Sequence, residues 1–205
     1  MIYQALKLIA TELNSHLNAI GQLDSGVNDD EVQIANIATL DSGLTADPPI
    51  ANKVVLTMVR MEEESSLKNI STRRKNLSTD QTEYRNPPVH VHLYLLFSIN
   101  SNDYENALTY LSRVVRFFQS KNVFTSKNTP PISSTNAHDQ LNHFKLILDM
   151  YSPSFEEANN IWGMLGGRQL PHVMYKMRML ELELDQVKDR RPDIRNIKIN
   201  DPTTV

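Results

Sequence analysis

The residues best suited to metal chemistry in this sequence are His90 and His92. Histidines at i and i+2 of a strand share a face, and neutral imidazoles ligate zinc. His138 and His143 could complete such a site. No HExxH pattern accompanies them, and ligating histidines usually bring carboxylate partners at readable spacing. A half-exposed sheet face, or a subunit contact, is therefore the favoured reading of the pair. The acidic stretch Asp24 to Glu31 suggests calcium, but a calcium loop of the EF-hand kind needs a ligand at its third position and glycine at its sixth. Here Gly26 and Asp29 hold those places, so the stretch reads as a solvated turn. Gly163, Gly166 and Gly167 follow a helical stretch and do not open one, which is the wrong context for cradling phosphate. With no cysteine in the chain, thiolate metal sites, disulfides and cysteine nucleophiles are excluded. No serine, histidine and acid trio announces itself. The expectation is a protein that is not an enzyme, with no catalytic residue, no metal and no cofactor.

Charge gives a second kind of chemistry, that of docking. Glu62-Glu63-Glu64 is followed by Arg73-Arg74-Lys75, a segregation that solvates a loop or meets a charged partner. Arg113 and Arg116 interrupt an apolar helical pattern and are expected on its exposed face, where guanidinium groups suit interface carboxylates. The formal net charge is −3, which argues against binding nucleic acid through bulk positive charge. Hydrophobic residues make up 40% and charged residues 22% of the 205, the usage of an ordinary globular domain. The length suits one domain. The start, Met1 to Lys7, lacks the basic and apolar regions of a secretory signal. No run approaches the ~18 apolar residues of a membrane span. Synthesis in the cytoplasm is expected, with no direct membrane binding.

The elements that must position these residues follow from periodicity. Ile2, Leu6, Ile9, Leu13, Leu17 and Ile20 draw one apolar stripe at helical spacing, closed by Gly21. Val32, Ile34 and Ile37 suggest a short strand. Lys53 to Met61 is apolar on both faces, as a central strand is. Glu62 to Pro88 is long and polar and reads as a loop, and Pro87-Pro88 sets the start of the next strand. Val89, Val91, Leu93, Leu95, Phe97 and Ile99 then alternate with His90, His92, Tyr94, Leu96 and Ser98. Asn102 with Glu105 predicts a capping box for a second helix, buried through Tyr104, Ala107, Leu108, Leu111, Val114, Val115 and Phe118 and ending near Ser120. Lys121 to Asp139 reads as a second loop. Leu141 to Tyr151 predicts a strand. Ser154 with Glu157 caps a third helix with Ala158, Ile161, Trp162 and Leu165 inward, ended by Gly166-Gly167. Val173 to Leu184 is the last strand, and the polar tail from Asp185 is expected to be mobile on its own. The class predicted is α+β, two-layer. Its sheet is mixed, mostly antiparallel, with about four to five strands packed by about three helices.

Several blocks together resemble a known family. Met1-Ile2-Tyr3-Gln4-Ala5-Leu6-Lys7-Leu8-Ile9 opens the chain. Asn86-Pro87-Pro88, His92 to Ser98, Tyr104 to Leu108 and Leu111 to Gln119 lead into Lys121 to Thr125 and Asn128-Thr129-Pro130. Tyr151 to Glu157, Ile161 to Gly167, Leu170-Pro171 and Tyr175 to Leu180 close the pattern. Together these resemble the N-terminal domain of the cap, or tail-terminator, proteins of extracellular contractile injection systems, phage-tail-like particles for toxin delivery related to antifeeding prophages and Photorhabdus virulence cassettes. The likeness reaches about Leu184.

The resemblance implies a tail-terminator-like cap domain over residues 1–184 and a polar C-terminal tail over 185–205. It implies a structural role: a homo-hexamer that ends polymerisation of the inner tube and sheath and anchors the last sheath layer. The implied partners are the sheath and inner tube proteins of the same particle, with no nucleic acid, and the particle is released outside the cell. A neck or adaptor protein joining other particle components could share the fold. A sheet edge on such a protein could accept a partner strand. Contact residues are expected in the two conspicuous loops and the glycine turn: Lys121, Asn122, Phe124 and Pro130, then Trp162, Gly166, Gly167, Arg168 and Pro171. Core packing is the competing reading for Trp162, and a helix stop for the two glycines.

Overall fold

The structure is a computed structural model, and it describes residues 1–20, 31–39, 50–67, 71–76, 81–130, 141, 144–182 and 187–192. The Asp24 to Glu31 turn, apart from Glu31, and His138 and His143 lie outside them.

The chain begins with helix α1, Ile2–Ile20, whose predicted stripe is real: Leu6, Ile9, Leu13 and Leu17 are buried, and Ile20 ends it exposed. Strand β1, Val32–Ile34, runs into a single 3-10 turn, Ile37–Thr39, and then β2, Lys53–Glu63. Ile37, expected on the first strand, is instead the buried residue of that turn. After β3, Arg73–Asn76, and β4, Gln81–Arg85, comes β5, Val89–Asn100. Helix α2, Tyr104–Ser120, leads to β6, Val123–Thr125, and β7, Lys145–Tyr151. Helix α3, Phe155–Met164, strand β8, His172–Leu182, and strand β9, Val187–Pro192, complete the described chain.

Six strands form one sheet in the order β1-β2-β5-β8-β7-β6. Only β1 and β2 pair in parallel; the other four pairings are antiparallel. The α+β class and the mixed, mostly antiparallel sheet are as expected, with more strands than foreseen. The extra one is β6, which occupies the start of the segment expected to be a loop. β5 lies at the centre because its side chains are apolar in both directions, and Leu93, Leu95, Leu96, Phe97 and Ser98 are all fully enclosed.

The main core lies between this sheet and helices α1 and α2. It ends in an aromatic cluster. Phe118 lies 4.5 Å from Tyr175 and 4.9 Å from Phe117 between ring centroids, and Phe97 lies 5.1 Å from Phe118. Rings at such separations contribute about 0.5–1.5 kcal/mol per pair beyond area burial. The face of α2 is rotated from the expected one. Phe117 turns inward, while Tyr104 and Leu108 stay open to solvent. Its N-cap also differs. Asp103, not Asn102, accepts from the Glu105 amide at 3.0 Å. Asp103 directly precedes the first helical residue, so its short carboxylate reaches that amide, whereas Asn102 lies one residue too early.

A smaller core covers part of the opposite face, where Trp162 of α3 joins Ile37, Ile50, Val55, Leu96 and Met174. The Ser154 and Glu157 capping box that starts α3 is formed as predicted.

The largest departure concerns the polar stretch from Glu62 to Pro88. β2 extends into it, and β3 and β4 form an antiparallel pair, joined by β9 in a separate sheet of order β3-β4-β9. Sequence periodicity misses these strands because their pairing supplies backbone hydrogen bonds without an apolar face. Part of the segment expected as a tail, residues 187–192, therefore lies paired with β4.

Candidate interaction surface

Among the described residues, the sheet face opposite α1 and α2 is covered by α3 at one end only. On the rest lies a ladder of charged and aromatic side chains. A register shift between Met58 and Arg60 places Arg60 opposite Tyr94 and Glu62 opposite His92, since a bulge re-aims every residue that follows it. Tyr94 is the hub. Its hydroxyl donates to Glu62 Oε2 at 2.8 Å. Arg60 and Lys176 lie over its ring at 5.7 and 5.4 Å. Tyr151 meets it edge-on with centroids 5.1 Å apart. Lys176 also faces Glu62 at 3.8 Å, and Arg178 pairs with Asp149 on β7. His92, only 7% exposed, is paired through Nε2 with Glu64.

These contacts hold the carboxylates ionised. The Tyr94 hydroxyl, followed by Lys176 and Arg60, keeps the Glu62 carboxyl below its ordinary range. The Ser66 hydroxyl and amide hold Glu64 down to about 2, with His92 adding to the effect. At the α3 cap, the Ser154 amide and hydroxyl lower Glu157, while burial and then the Glu157 charge raise the Tyr151 phenol. Partly exposed pairs of this sort add little to stability. Their effect here is to fix a flat array of tyrosine, arginine and lysine, residue types suited to protein contacts.

The two outer edges of the large sheet are occupied. Glu31 and Ala35 face β2 through bonds to Val54 and Leu56, so the intervening Val32 points its backbone outward. The Asn14 side chain of α1 meets both groups of that residue: Oδ1 accepts from the Val32 amide at 2.7 Å, and Nδ2 donates to its carbonyl at 3.3 Å. At the far edge, Asn122 and Ser126 bond toward β7, leaving Val123 and Thr125 outward. There Asn128 accepts from the Thr125 amide at 2.7 Å and donates to the Val123 carbonyl at 2.9 Å. Thr129 Oγ1 donates to the Thr125 carbonyl at 2.7 Å. In each case an amide side chain imitates one residue of a neighbouring strand. An unpaired edge is a template for another chain, and here it is closed at the positions a new strand would use first. The expected strand-accepting edge is thus already filled at these residues.

The sequence-predicted contact residues fall in two places. Lys121, at the end of α2, bonds Glu12 of α1 at 2.7 Å and the Asn128 carbonyl at 3.0 Å, and lies over the Phe124 ring. Asn122 and Pro130 are exposed. Phe124 is wholly buried and faces the aromatic cluster. Trp162 is 4% exposed and lies against His172 with centroids 5.0 Å apart. Gly166 and Gly167 have φ of 104° and 82°, a left-handed region that favours glycine; the Gly167 amide bonds the Trp162 carbonyl at 2.7 Å and turns the chain off α3. Arg168 is exposed beside them, and the Pro171 carbonyl accepts from Ile99 at 2.9 Å. The helix-end and core readings of these positions therefore describe their local roles. Arg113 is half-buried, with its guanidinium 5.6 Å from the Tyr110 ring, and Arg116 is exposed.

His90 and His92 share a face as predicted, but the partner of His92 is Glu64. Among the described residues no group of three or more histidines and carboxylates is placed to hold a metal ion, and no helix is long and apolar enough to cross a membrane. The ladder itself was missed. The signal was the period-2 spacing of Arg60, Glu62 and Glu64, matched by Lys176 and Arg178, which belongs to strands and not to a loop.

Comparison with known proteins places this geometry in context. The family model described as the Pvc16 N-terminal domain matches residues 5–196. No curated protein sequence matches the chain. Among solved structures, the fold is similar to a sheath/tube terminator of the extracellular contractile injection system PVC in its extended state, with a TM-score of 0.63 at 13% identity. It is also similar to the tube-terminating cap of the anti-feeding prophage, with a TM-score of 0.60 at 12% identity. The matches take in 100% and 98% of this chain but only 64% and 61% of those proteins.

Proposed function

We propose that this chain, which belongs to the Pvc16 N-terminal domain family, ends the tube and sheath of a phage-tail-like contractile injection particle. The family match over residues 5–196 carries this reading, and the likeness of fold to a sheath/tube terminator and a tube-terminating cap supports it. In this reading six copies form a ring on the last layer of inner tube and sheath, stop further growth and anchor the sheath. The protein is made in the bacterial cytoplasm and leaves as part of the extracellular particle. It works through surfaces, with no reaction.

The physical requirement is plain. A stack of head-to-tail rings always presents a fresh surface at its open end. A terminator must match that surface and present nothing that the next layer can use. The asparagine-filled edges of the large sheet suit the second demand, since neither offers a bare strand edge at the filled positions. The ladder around Tyr94 suits the first.

Deletion of the gene tests the reading. Electron microscopy of the deletion strain should show tubes of uncontrolled length or bare of sheath, restored by the intact gene. A tagged copy should sit at the end distal to the baseplate, with nothing above it. Sheathed particles of normal length in the deletion strain, or a tagged copy held between two other rings, would refute it.

A further inference from the structure

One large side chain stands outside both cores. Phe155, the first residue of α3, is 98% exposed, the most open large apolar residue among those described. Its backbone is nonetheless fixed. The Ser154 amide donates to Glu157 Oε2 at 2.8 Å, and the Ser154 hydroxyl accepts from the Glu157 amide at 3.2 Å. A ring displayed on fixed backbone loses little freedom when a partner buries it. On the other face of the large sheet, a groove runs between α2 and β7. Val115, Phe118 and Gln119 of α2 line it with Leu148 and Met150 of β7 and Tyr175 of β8. Phe118, Leu148 and Tyr175 are buried, whereas Met150 is 54% exposed and free to close over a guest. The groove has a volume of about 450 Å³, room for a phenyl ring, and a methionine thioether packs favourably beside one. Charge matches as well. Exposed Glu156 follows Phe155, and exposed Arg116 follows Val115. Neither is held in an ion pair among the described residues.

We propose that Phe155 of one copy inserts into the α2–β7 groove of a second copy of the same chain, with Glu156 set beside Arg116. The proposal rests on the ring-forming terminator reading and names a contact within it. Shape and charge complementarity together select the occupant: one chain carries both the fixed knob and the open apolar slot, and a carboxylate beside the first meets a guanidinium beside the second. An aromatic ring seated in a pocket is the kind of anchor that dominates a protein interface, and the charged pair at its rim sets orientation. Knob and groove are different surfaces, on opposite faces of the large sheet. The contact is therefore heterologous, the kind from which rings of more than two copies are built.

The chain has no cysteine, so introduced thiols report this contact alone. Two differently tagged full-length copies are co-expressed, one with Asn159→Cys, a turn beyond Phe155, and the other with Gln119→Cys at the groove; both positions are exposed. Mild oxidation of the purified protein and of purified particles should give a disulfide dimer bearing both tags, and copies that all carry Asn159→Cys should give none. Phe155→Ala should weaken self-association, followed by sedimentation, ~30-fold or more, the loss expected for an aromatic anchor. Its urea midpoint should stay unchanged, because the ring is exposed in the single chain. Glu156→Arg and Arg116→Glu should each weaken the contact, and the two together should restore it. No mixed disulfide in either sample, dimers joined mainly through like sites, thiols captured only by the sheath or tube protein, or self-association indifferent to Phe155→Ala would overturn the proposal and leave the terminator reading standing. Absence of any ring at a particle end would instead remove the terminator reading.

Discussion

The Asn14 side chain gives the sharpest prediction. It is 8% exposed, and Val32, whose amide and carbonyl it holds, is 3% exposed. Asn14→Ala leaves the Val32 amide buried without its 2.7 Å partner and its carbonyl without the 3.3 Å one. An orphaned buried donor costs about 1–3 kcal/mol, and a carbonyl is left unpaired more cheaply. Alanine returns up to ~0.7 kcal/mol of helix propensity. The net loss is about 2 kcal/mol, which lowers the melting temperature by roughly 4–8 °C in a domain of this size. Urea unfolding gives the loss directly, provided the m-value is unchanged. Hydrogen exchange at the Val32 amide should quicken at the same time. Asn18→Ala, one turn on and exposed, is the control and should stay within about 0.5 kcal/mol. If Asn14→Ala matches that control and the Val32 amide stays protected, the edge-filling argument is wrong.

Asn128→Ala opens the other edge; because Asn128 is exposed, stability should fall by only about 0.5–1.5 kcal/mol, whereas concentration-dependent self-association, seen by light scattering, should rise. Ser154→Ala removes the α3 capping box and should cost about 1 kcal/mol in urea unfolding. Trp162→Ala empties the smaller core and should cost about 3–5 kcal/mol, with α3 exchanging hydrogen faster than α1. The Glu64 carboxyl is lowered from 4.5 to about 2 in the folded chain. Its stabilising effect is therefore present above pH ~4.3 and is lost as pH falls toward 2. Urea midpoints of the native chain and Glu64→Gln should differ at neutral pH and converge near pH 2; a gap that stays constant with pH would count against the Ser66 and His92 bonds as its cause.

Where burial is periodic, the fold was legible. The α1 stripe, the alternation along β5, the Ser154 box and the Gly166-Gly167 stop all record a local rule, because one helix or strand meets one core. The same clarity made the family resemblance readable in blocks. Two kinds of feature stayed hidden. The charged strands β3, β4 and β9 have no apolar face to betray them, and β9 pairs with a strand about one hundred residues earlier in the chain. Of the contact residues expected in the two loops and the glycine turn, Phe124 is buried by a strand that the sequence did not show, whereas the burial of Trp162 follows the helical stripe that it did.

By itself, then, the sequence determined which segments become helices and central strands, since side-chain burial at a fixed period needs nothing beyond neighbours in the chain. Tertiary structure alone decided the register shift that aims Arg60 and Glu62 at Tyr94, and the reach of Asn14 to Val32. It also decided the return of β9 to pair with β4 in a second sheet. Each depends on backbone groups finding partners far away in sequence, and such hydrogen bonds leave no periodic trace in the residues that make them.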